Sequence, residues 1–448
     1  MPVDSRYGKL KTEEYEKMNY QESREYIDRI TREIPSVLGL EHMQELLKRL
    51  GDPQDGQKYI HVAGTNGKGS TIAFLYSVLT GAGYRVGRYV SPTLYSYRER
   101  MEVSGEKIEK ETFAAYLTQV ADVITEMTRD GYPHPTAFEI ETAVAFLFFK
   151  NADCDLVLLE VGMGGNLDAT NIIKDTLLAV LVSISMDHMS FLGNTLSEIA
   201  EKKAGIIKQG CQVVAALQKP EVMKVIAEKC AECQAVCTEA DAKEAQVITE
   251  DCLGQTIRYQ GEDYEIPLAG VYQKENAVVA LNVLKVLDTL GFATTLEQKK
   301  RGLQKASWNG RFTVLCKEPL LVVDGAHNPA AADMLAASID HYFKEKKIIY
   351  IMGVFGDKDY ESVIQKTAHL AQEILTIETP DNVRALPAEE LAQAVKKYNP
   401  HVQPMATIKE AVEKAFAIAA PEDVIIAFGS LSFIGEMTKI IQEKETRR

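Results

Sequence analysis

Apolar and polar positions along the chain alternate between two periods. Residues 19–50 carry helical spacing, one or two amphipathic helices broken near Pro35. Tyr59–Val62 is a short apolar run, a strand, leading into the glycine-rich segment Gly64–Ser70. Thr71–Gly81 returns to helical spacing, with Gly81 and Gly83 as stop signals. Arg85–Val90 reads as strand, and helical patterns follow at about 109–129 and 137–150. Leu156–Val161 and Leu177–Ile184 are continuous apolar runs, as expected for strands buried on both faces of a parallel sheet. Helix and strand alternate to about residue 300, which predicts an α/β domain with a mostly parallel sheet. The stretch 245–266 is more polar and alternates at Thr256–Tyr259, predicting a small antiparallel patch inside that domain.

A second cycle begins after Ser307-Trp308-Asn309-Gly310-Arg311. Strands are predicted at 312–316, 320–324, 347–352, 374–378 and 423–428, with helices between them. The expected division is 1–303, a P-loop-type domain, and 304–448, a smaller Rossmann-like α/β domain. A length of 448 residues agrees with two or three domains.

Composition narrows the function classes. The chain is 46% apolar and 25% charged, ordinary for a globular protein. Its net charge of -14, without a long basic run, argues against a nucleic-acid partner. The first 20 residues are charged and lack the apolar segment of a secretory signal, and no run of about 18 apolar residues is present to span a membrane. Seven scattered cysteines point to a reducing cytoplasm rather than a disulfide framework. Cys230, Cys233 and Cys237 have a spacing that invites a metal reading, but i, i+3, i+7 is one face of a helix, and a packed helix face is expected.

Five segments carry candidate chemistry. Gly64-Thr65-Asn66-Gly67-Lys68-Gly69-Ser70 lies between strand and helix, the context of a phosphate loop. Its glycines let backbone N–H groups approach an anion, the helix N-terminus adds positive potential, Lys68 supplies a charge for the β- and γ-phosphates, and Ser70 offers an oxygen to Mg²⁺. The strict pattern G-x4-G-K-[ST] is not met, because Gly69 separates Lys68 from Ser70 and Val62 holds the first glycine position. Glu160 ends a buried strand in Glu160–Asn171. It is either a Mg²⁺ ligand at the sheet's carboxyl edge or a strand-end acid capped by loop amides, and spacing does not choose. Asp187-His188 follows the next strand and reads as a solvated loop or a ligand facing the same crevice. Lys202–Lys208 closes a helix, where lysines also simply complement the dipole. In the second domain, Asp324-Gly325-Ala326-His327-Asn328-Pro329 again joins strand to helix; Asn328 fits an N-cap and Pro329 the first helical position. Arg311 is either a surface arginine or one that reaches phosphate across a cleft.

Taken in order, these and further stretches resemble the folylpolyglutamate synthase/dihydrofolate synthase family, a branch of the Mur ligases. They are GTNGKGS (64–70), SPTLYSYRERMEVSG (91–105), TAFEIETAVAFLFF (136–149), EVGMGGNLDATN (160–171), SISMDHMSFLG (183–193) and KKAGIIK (202–208). YQKENAVVAL (272–281), NGRF (309–312), DGAHNP (324–329), DKD (357–359) and FGSL (428–431) complete the set. The resemblance spans roughly residues 20–440.

The resemblance implies an ATP-dependent carboxylate–amine ligase. A folate or dihydropteroate carboxylate takes the γ-phosphoryl group, and the amine of L-glutamate displaces phosphate from the acyl phosphate. It implies that Lys68 and nearby amides hold phosphates, that Ser91, Glu160 and His188 ligate two Mg²⁺ ions with Ser70 nearby, and that Lys203 is carbamoylated by CO₂. Asn276, Arg311, Asp324 and His327 are implied on the ATP side, and a monomer fits the family. The family usually has His at Thr93, Arg at Asn166 and Glu at Lys202, and Thr93 and Asn166 are expected in loops near substrate. A cell-wall Mur ligase would normally carry a further N-terminal domain, where here about 58 residues precede the first core strand. A catalytically silent nucleotide switch would not need Glu160, His188 and Lys203 beside a phosphate loop.

Overall fold

The computed structural model describes residues 17–35, 38–380, 382 and 384–446. The charged N-terminal arm therefore lies almost wholly outside the described residues.

The first sheet uses β1 (Tyr59–Ala63), β2 (Val86–Tyr89), β3 (Met101–Val103), β4 (Glu106–Lys107), β5 (Leu156–Glu160), β6 (Thr176–Leu181), β7 (Gln212–Ala216) and β8 (Val236–Ala240). Their spatial order is β4-β3-β2-β5-β1-β6-β7-β8. All neighbours are parallel except β2–β3 and β3–β4. A separate antiparallel sheet of β9 (Gln246–Asp251), β10 (Gly254–Tyr259) and β11 (Glu262–Ile266) sits where alternation predicted it. The third sheet comprises β12 (Thr313–Lys317), β13 (Leu320–Asp324), β14 (Ile348–Met352), β15 (Glu373–Thr376), β16 (Val402–Pro404) and β17 (Val424–Phe428), in the order β12-β13-β17-β14-β15-β16. Only the β12–β13 pair is antiparallel.

The continuous apolar runs are strands covered on both faces. Ile60 and Val62 of β1 enter a core with Leu156, Leu158, Leu178 and Val180, while Tyr59 points the opposite way to join Val157 and Leu159. Fully burying each such aliphatic side chain contributes about 1.5–3 kcal/mol. The helix Lys68–Gly81, which follows the glycine loop, is buried nearly all round, from Ser70 to Tyr76 and again at Val78 and Leu79. It packs against both the helix Gln273–Thr289 and the helix Leu296–Lys305. On the other face, Thr136 and Glu139 form a capping box that starts the helix Ala137–Asn151.

Two expectations need correction. The cysteine segment is not one helix face: the helix Pro220–Glu232 ends before Cys233, its cap, and Cys237 lies on β8. The intervening Gln234 takes a positive φ of 49°, which turns the chain back into the sheet. All seven cysteines are free. The strand expected to reach Ile184 stops at Leu181, because residues 183–185 leave the sheet to hold the glycine loop.

Candidate active site

The carboxyl ends of β1, β5 and β6 lie side by side, which is where open α/β sheets bind ligands. From β1 the chain enters the loop at 64–70. Its backbone is pinned to the segment after β6: Thr65 N–H donates to Ser183 O (2.7 Å), and Ser185 N–H donates to Thr65 Oγ1 (3.0 Å). Gly67 has φ 94°, and a Cβ there would lie 2.3 Å from Asn276 Oδ1. Asn276 thus abuts the loop, and its Nδ2 donates to Gln273 (2.9 Å), whose own amide donates to Ser70 Oγ (3.3 Å).

Gly69 accounts for the departure from the strict phosphate-loop pattern. A Cβ at this position would meet the Trp308 ring at 2.4 Å. Trp308, the only tryptophan of the chain, comes from the segment that connects the two domains. Pressing its indole onto the first turn of the helix requires a residue without a side chain.

Two lysines converge on the loop. Lys68 Nζ donates to the carbonyls of Gly64 and Thr65, both at 3.3 Å, and stands 3.9 Å from Glu160 Oε1. Buried Lys203 donates to the same Gly64 carbonyl at 2.9 Å. Burial, then the nearby positive charge of Lys68, pushes Lys203 down to about 7. Glu160 is buried at the end of β5 and accepts Ser91 N–H at 3.3 Å. Burial raises it above the usual carboxylate range against the pull of Lys68 and of the Ser91 N–H.

The third sheet presents its own carboxyl edge to this region. Asn66 Nδ2 donates to Asn328 Oδ1 (3.3 Å), and Asn328 Nδ2 donates to Asp187 Oδ2 (3.0 Å). Asn328 is the N-cap of the helix Pro329–Phe343, as its sequence predicts. Asp324, buried at the end of β13, accepts from Tyr272 Oη (2.9 Å), Phe312 N–H (2.8 Å) and Ala326 N–H (2.7 Å). It therefore ties the first domain, the connecting segment and its own loop together. His327 Nδ1 lies 2.7 Å from Gly325 O, so that nitrogen carries the proton and Nε2 is the acceptor. Burial, then the charge of Lys358, lowers His327 to about 4 and keeps it neutral at ordinary pH.

His188 stands with a different set from Ser91 and Glu160. Its Nε2 is 3.0 Å from Lys358 Nζ, and Lys358 also donates to Asp187 Oδ1 at 2.9 Å. Among the described residues no three His, Cys, Asp or Glu side chains converge as a metal-binding group. Mg²⁺ keeps water and phosphate oxygens and takes only one or two protein carboxylates. Glu160 fits such a role, being a strand-end oxygen donor with Ser91 at its side.

A cavity of about 510 Å³ opens beside Glu160, Ser91 and Arg311. Gly69, Trp308 and Arg88 form part of its wall, and Thr93 lines it as its loop position suggested. Arg88 pairs with Glu102 and lies 4.4 Å over the Tyr76 ring. Asn166 is placed otherwise. Its N–H donates to Lys202 O (2.8 Å) and its Cβ stands where a side chain at Gly205 would go, so the two unusual positions 166 and 202 touch.

Sequence reasoning missed two features. Lys358 was visible only as part of DKD; its reach into the other domain is a tertiary fact. His61, buried in β1, bonds Thr170 Oγ1 at 2.9 Å, which donates to buried Asp168 (2.5 Å), bracing the loop after β5 from beneath.

A phosphate loop at one sheet edge, faced by a second α/β domain across a polar cleft, defines a two-domain nucleotide-dependent ligase. Residues 62–284 match the Mur ligase middle domain, and residues 310–431 match the Mur ligase glutamate ligase domain. The chain is 35% identical to the dihydrofolate synthase/folylpolyglutamate synthase of Bacillus subtilis, over 90% of this chain and 94% of that protein. Its fold is similar to Mycobacterium tuberculosis folylpolyglutamate synthase complexed with ADP and AMPPCP, with a TM-score of 0.84, 28% identity and coverage of 94% and 99%. It is also similar to Escherichia coli FolC in complex with DHPP and ADP, with a TM-score of 0.83, 28% identity and coverage of 96% and 99%. The chain belongs to the dihydrofolate synthase/folylpolyglutamate synthase family of the Mur ligases. It is an ATP-dependent ligase of folate metabolism.

Proposed function

We propose that the reaction runs where the carboxyl edges of the first and third sheets face each other, with ATP on the loop at 64–70 and the acceptor in the 510 Å³ cavity. The observation that carries this reading is the meeting of Lys68, Lys203 and Glu160 at one loop that the second domain touches through Asn328.

An oxygen of the acceptor carboxylate forms a bond to the γ-phosphorus as the bond from that phosphorus to the β–γ bridging oxygen breaks, and ADP leaves. The amine nitrogen of L-glutamate then bonds the acyl carbon, the carbon–oxygen bond to phosphate breaks, and the amine gives up a proton. Lys68 swings from the Gly64 and Thr65 carbonyls to the β- and γ-phosphates and offsets their charge. The loop amides of Gly64 through Ser70 orient the phosphates, and Arg311, Asn276, Asp324 and His327 hold the nucleotide side. Two Mg²⁺ ions would be held, one beside Glu160 and Ser91 with Ser70 near the phosphates and one at His188, and they would neutralise phosphoryl oxygens. Closure of the two domains excludes water from the acyl phosphate and aligns the reactants.

Lys203 is the carbamoylation site. Its depressed proton affinity leaves a large share of the amine neutral near pH 7, the form that adds CO₂, and the resulting anion would face Lys68 in place of a like charge. The working form is a cytoplasmic monomer, and the functional division is 1–303 and 304–448. Among the described residues no helix is long and apolar enough to cross a membrane.

The test is phosphate release with ATP and L-glutamate, run separately with dihydropteroate and tetrahydrofolate. Turnover with at least one acceptor, strictly dependent on glutamate, is expected. ATP consumption indifferent to both acceptors would overturn the assignment of the cavity.

A further inference from the structure

Lys358 lies in the loop between β14 and the helix Tyr360–Thr367, whose N-cap is Asp359. Its ammonium crosses to the first domain and donates both to Asp187 Oδ1 (2.9 Å) and to the Nε2 of His188 (3.0 Å). Both Lys358 and Asp187 are only 10% exposed. An ammonium group has no acceptor capacity, so the imidazole nitrogen receives this bond through its lone pair. That same lone pair is what a divalent cation would use. His188 is held in a left-handed backbone conformation (φ 50°), unusual for a residue with a side chain. Asn328, also from the second domain, takes the other oxygen of Asp187.

We infer that Lys358 is a built-in stand-in cation: it occupies the Asp187–His188 pair in the closed protein, and a metal ion at His188 binds only by displacing it. The inference rests on reading His188 as a metal ligand and adds what competes for it. Lys358 is a positioning residue in this scheme. It keeps the two domains together and the imidazole aimed before metal arrives, and metal entry frees a lysine in the cleft where an anionic substrate must bind.

The experiment is Mn²⁺ binding to the full chain with AMPPCP present, followed by electron paramagnetic resonance of free Mn²⁺, for the unaltered protein and for Lys358→Met, Lys358→Arg, His188→Ala and Lys358→Met with His188→Ala. Removing the competing charge should tighten one Mn²⁺ site about tenfold in Lys358→Met, which corresponds to about 1.4 kcal/mol. Lys358→Arg keeps the charge and should bind like the unaltered protein. The double variant should lose the gain. Should Lys358→Met bind Mn²⁺ no tighter while His188→Ala binds it more weakly, His188 is a ligand and Lys358 does not compete, which overturns the inference alone. Should His188→Ala change nothing in either background, the metal reading of His188 falls and the inference with it. Thermal unfolding of each variant separates these outcomes from loss of fold, and Lys358→Gln, which also removes the charge, carries the comparison if Lys358→Met does not fold.

Discussion

Lys203 Nζ lies 2.9 Å from the carbonyl oxygen of Gly64, the residue that opens the phosphate loop, and Lys68 donates to that same carbonyl. Two lysines on one oxygen repel each other, and the buried one yields. Lys203 falls from its ordinary value of 10.5 to about 7, through burial first and Lys68 second. The neutral amine should therefore become available as pH rises through about 7. With ¹³C-labelled bicarbonate, a carbamate resonance is expected to grow across that range and to be absent from Lys203→Ala. The same variant should lose most of its activity and recover part of it with added acetate. Full activity without any added carboxylate would remove the carbamate from the scheme. On stability the sign follows directly: the unfolded chain keeps this proton up to about 10.5 and the folded chain releases it near 7, so this group's contribution to stability rises with pH between those values.

Among the described residues Lys68 makes two carbonyl hydrogen bonds and a 3.9 Å approach to Glu160, so little of the fold depends on its charge. Lys68→Ala is expected to lower glutamate-dependent ADP formation by about a thousandfold or more, on the order of 4 kcal/mol of transition-state stabilisation. Its melting temperature should stay within a few degrees of the unaltered protein. Retained turnover in a coupled ADP assay would contradict the role given to this lysine.

Gly69 has room for no side chain because Trp308 rests on it. Gly69→Ala must push the indole aside and reshape the wall of the cavity. The expected result is a change in tryptophan emission, which reports Trp308 alone, together with a several-fold rise in the acceptor KM. An unshifted spectrum with unchanged KM would show that the contact has no part in acceptor binding.

Asp324 satisfies two backbone N–H groups and the Tyr272 hydroxyl from a buried position. Asp324→Ala leaves those donors without a partner and should cost about 2–4 kcal/mol. Urea unfolding is the measurement, and a midpoint equal to that of the unaltered protein would assign Asp324 to nucleotide contact alone. Asp324→Asn keeps one acceptor oxygen and should fall between the two.

The order of elements was legible in the sequence because buried parallel strands and the helices over them leave opposite periodicities. Ile60, Val62, Leu156, Leu158, Leu178 and Val180 read as apolar runs and became one core. The phosphate loop was legible too, since its glycines, lysine and hydroxyl are adjacent in the chain and act through the local backbone. The cysteine segment misled because spacing alone does not say where a helix stops; Cys233 is already its cap and Cys237 belongs to the sheet.

What tertiary structure decided lies in contacts between residues far apart in the chain. The meaning of Gly69 depends on Trp308, far along the chain, and the state of Lys203 depends on Gly64 and Lys68. The bond from Lys358 to Asp187 and His188 joins two domains that share no local pattern. Local sequence sets backbone conformation and which face is apolar, because those follow from each residue and its near neighbours. Charge, desolvation and close packing depend on whichever groups folding brings within a few ångströms, and only the assembled fold specifies them.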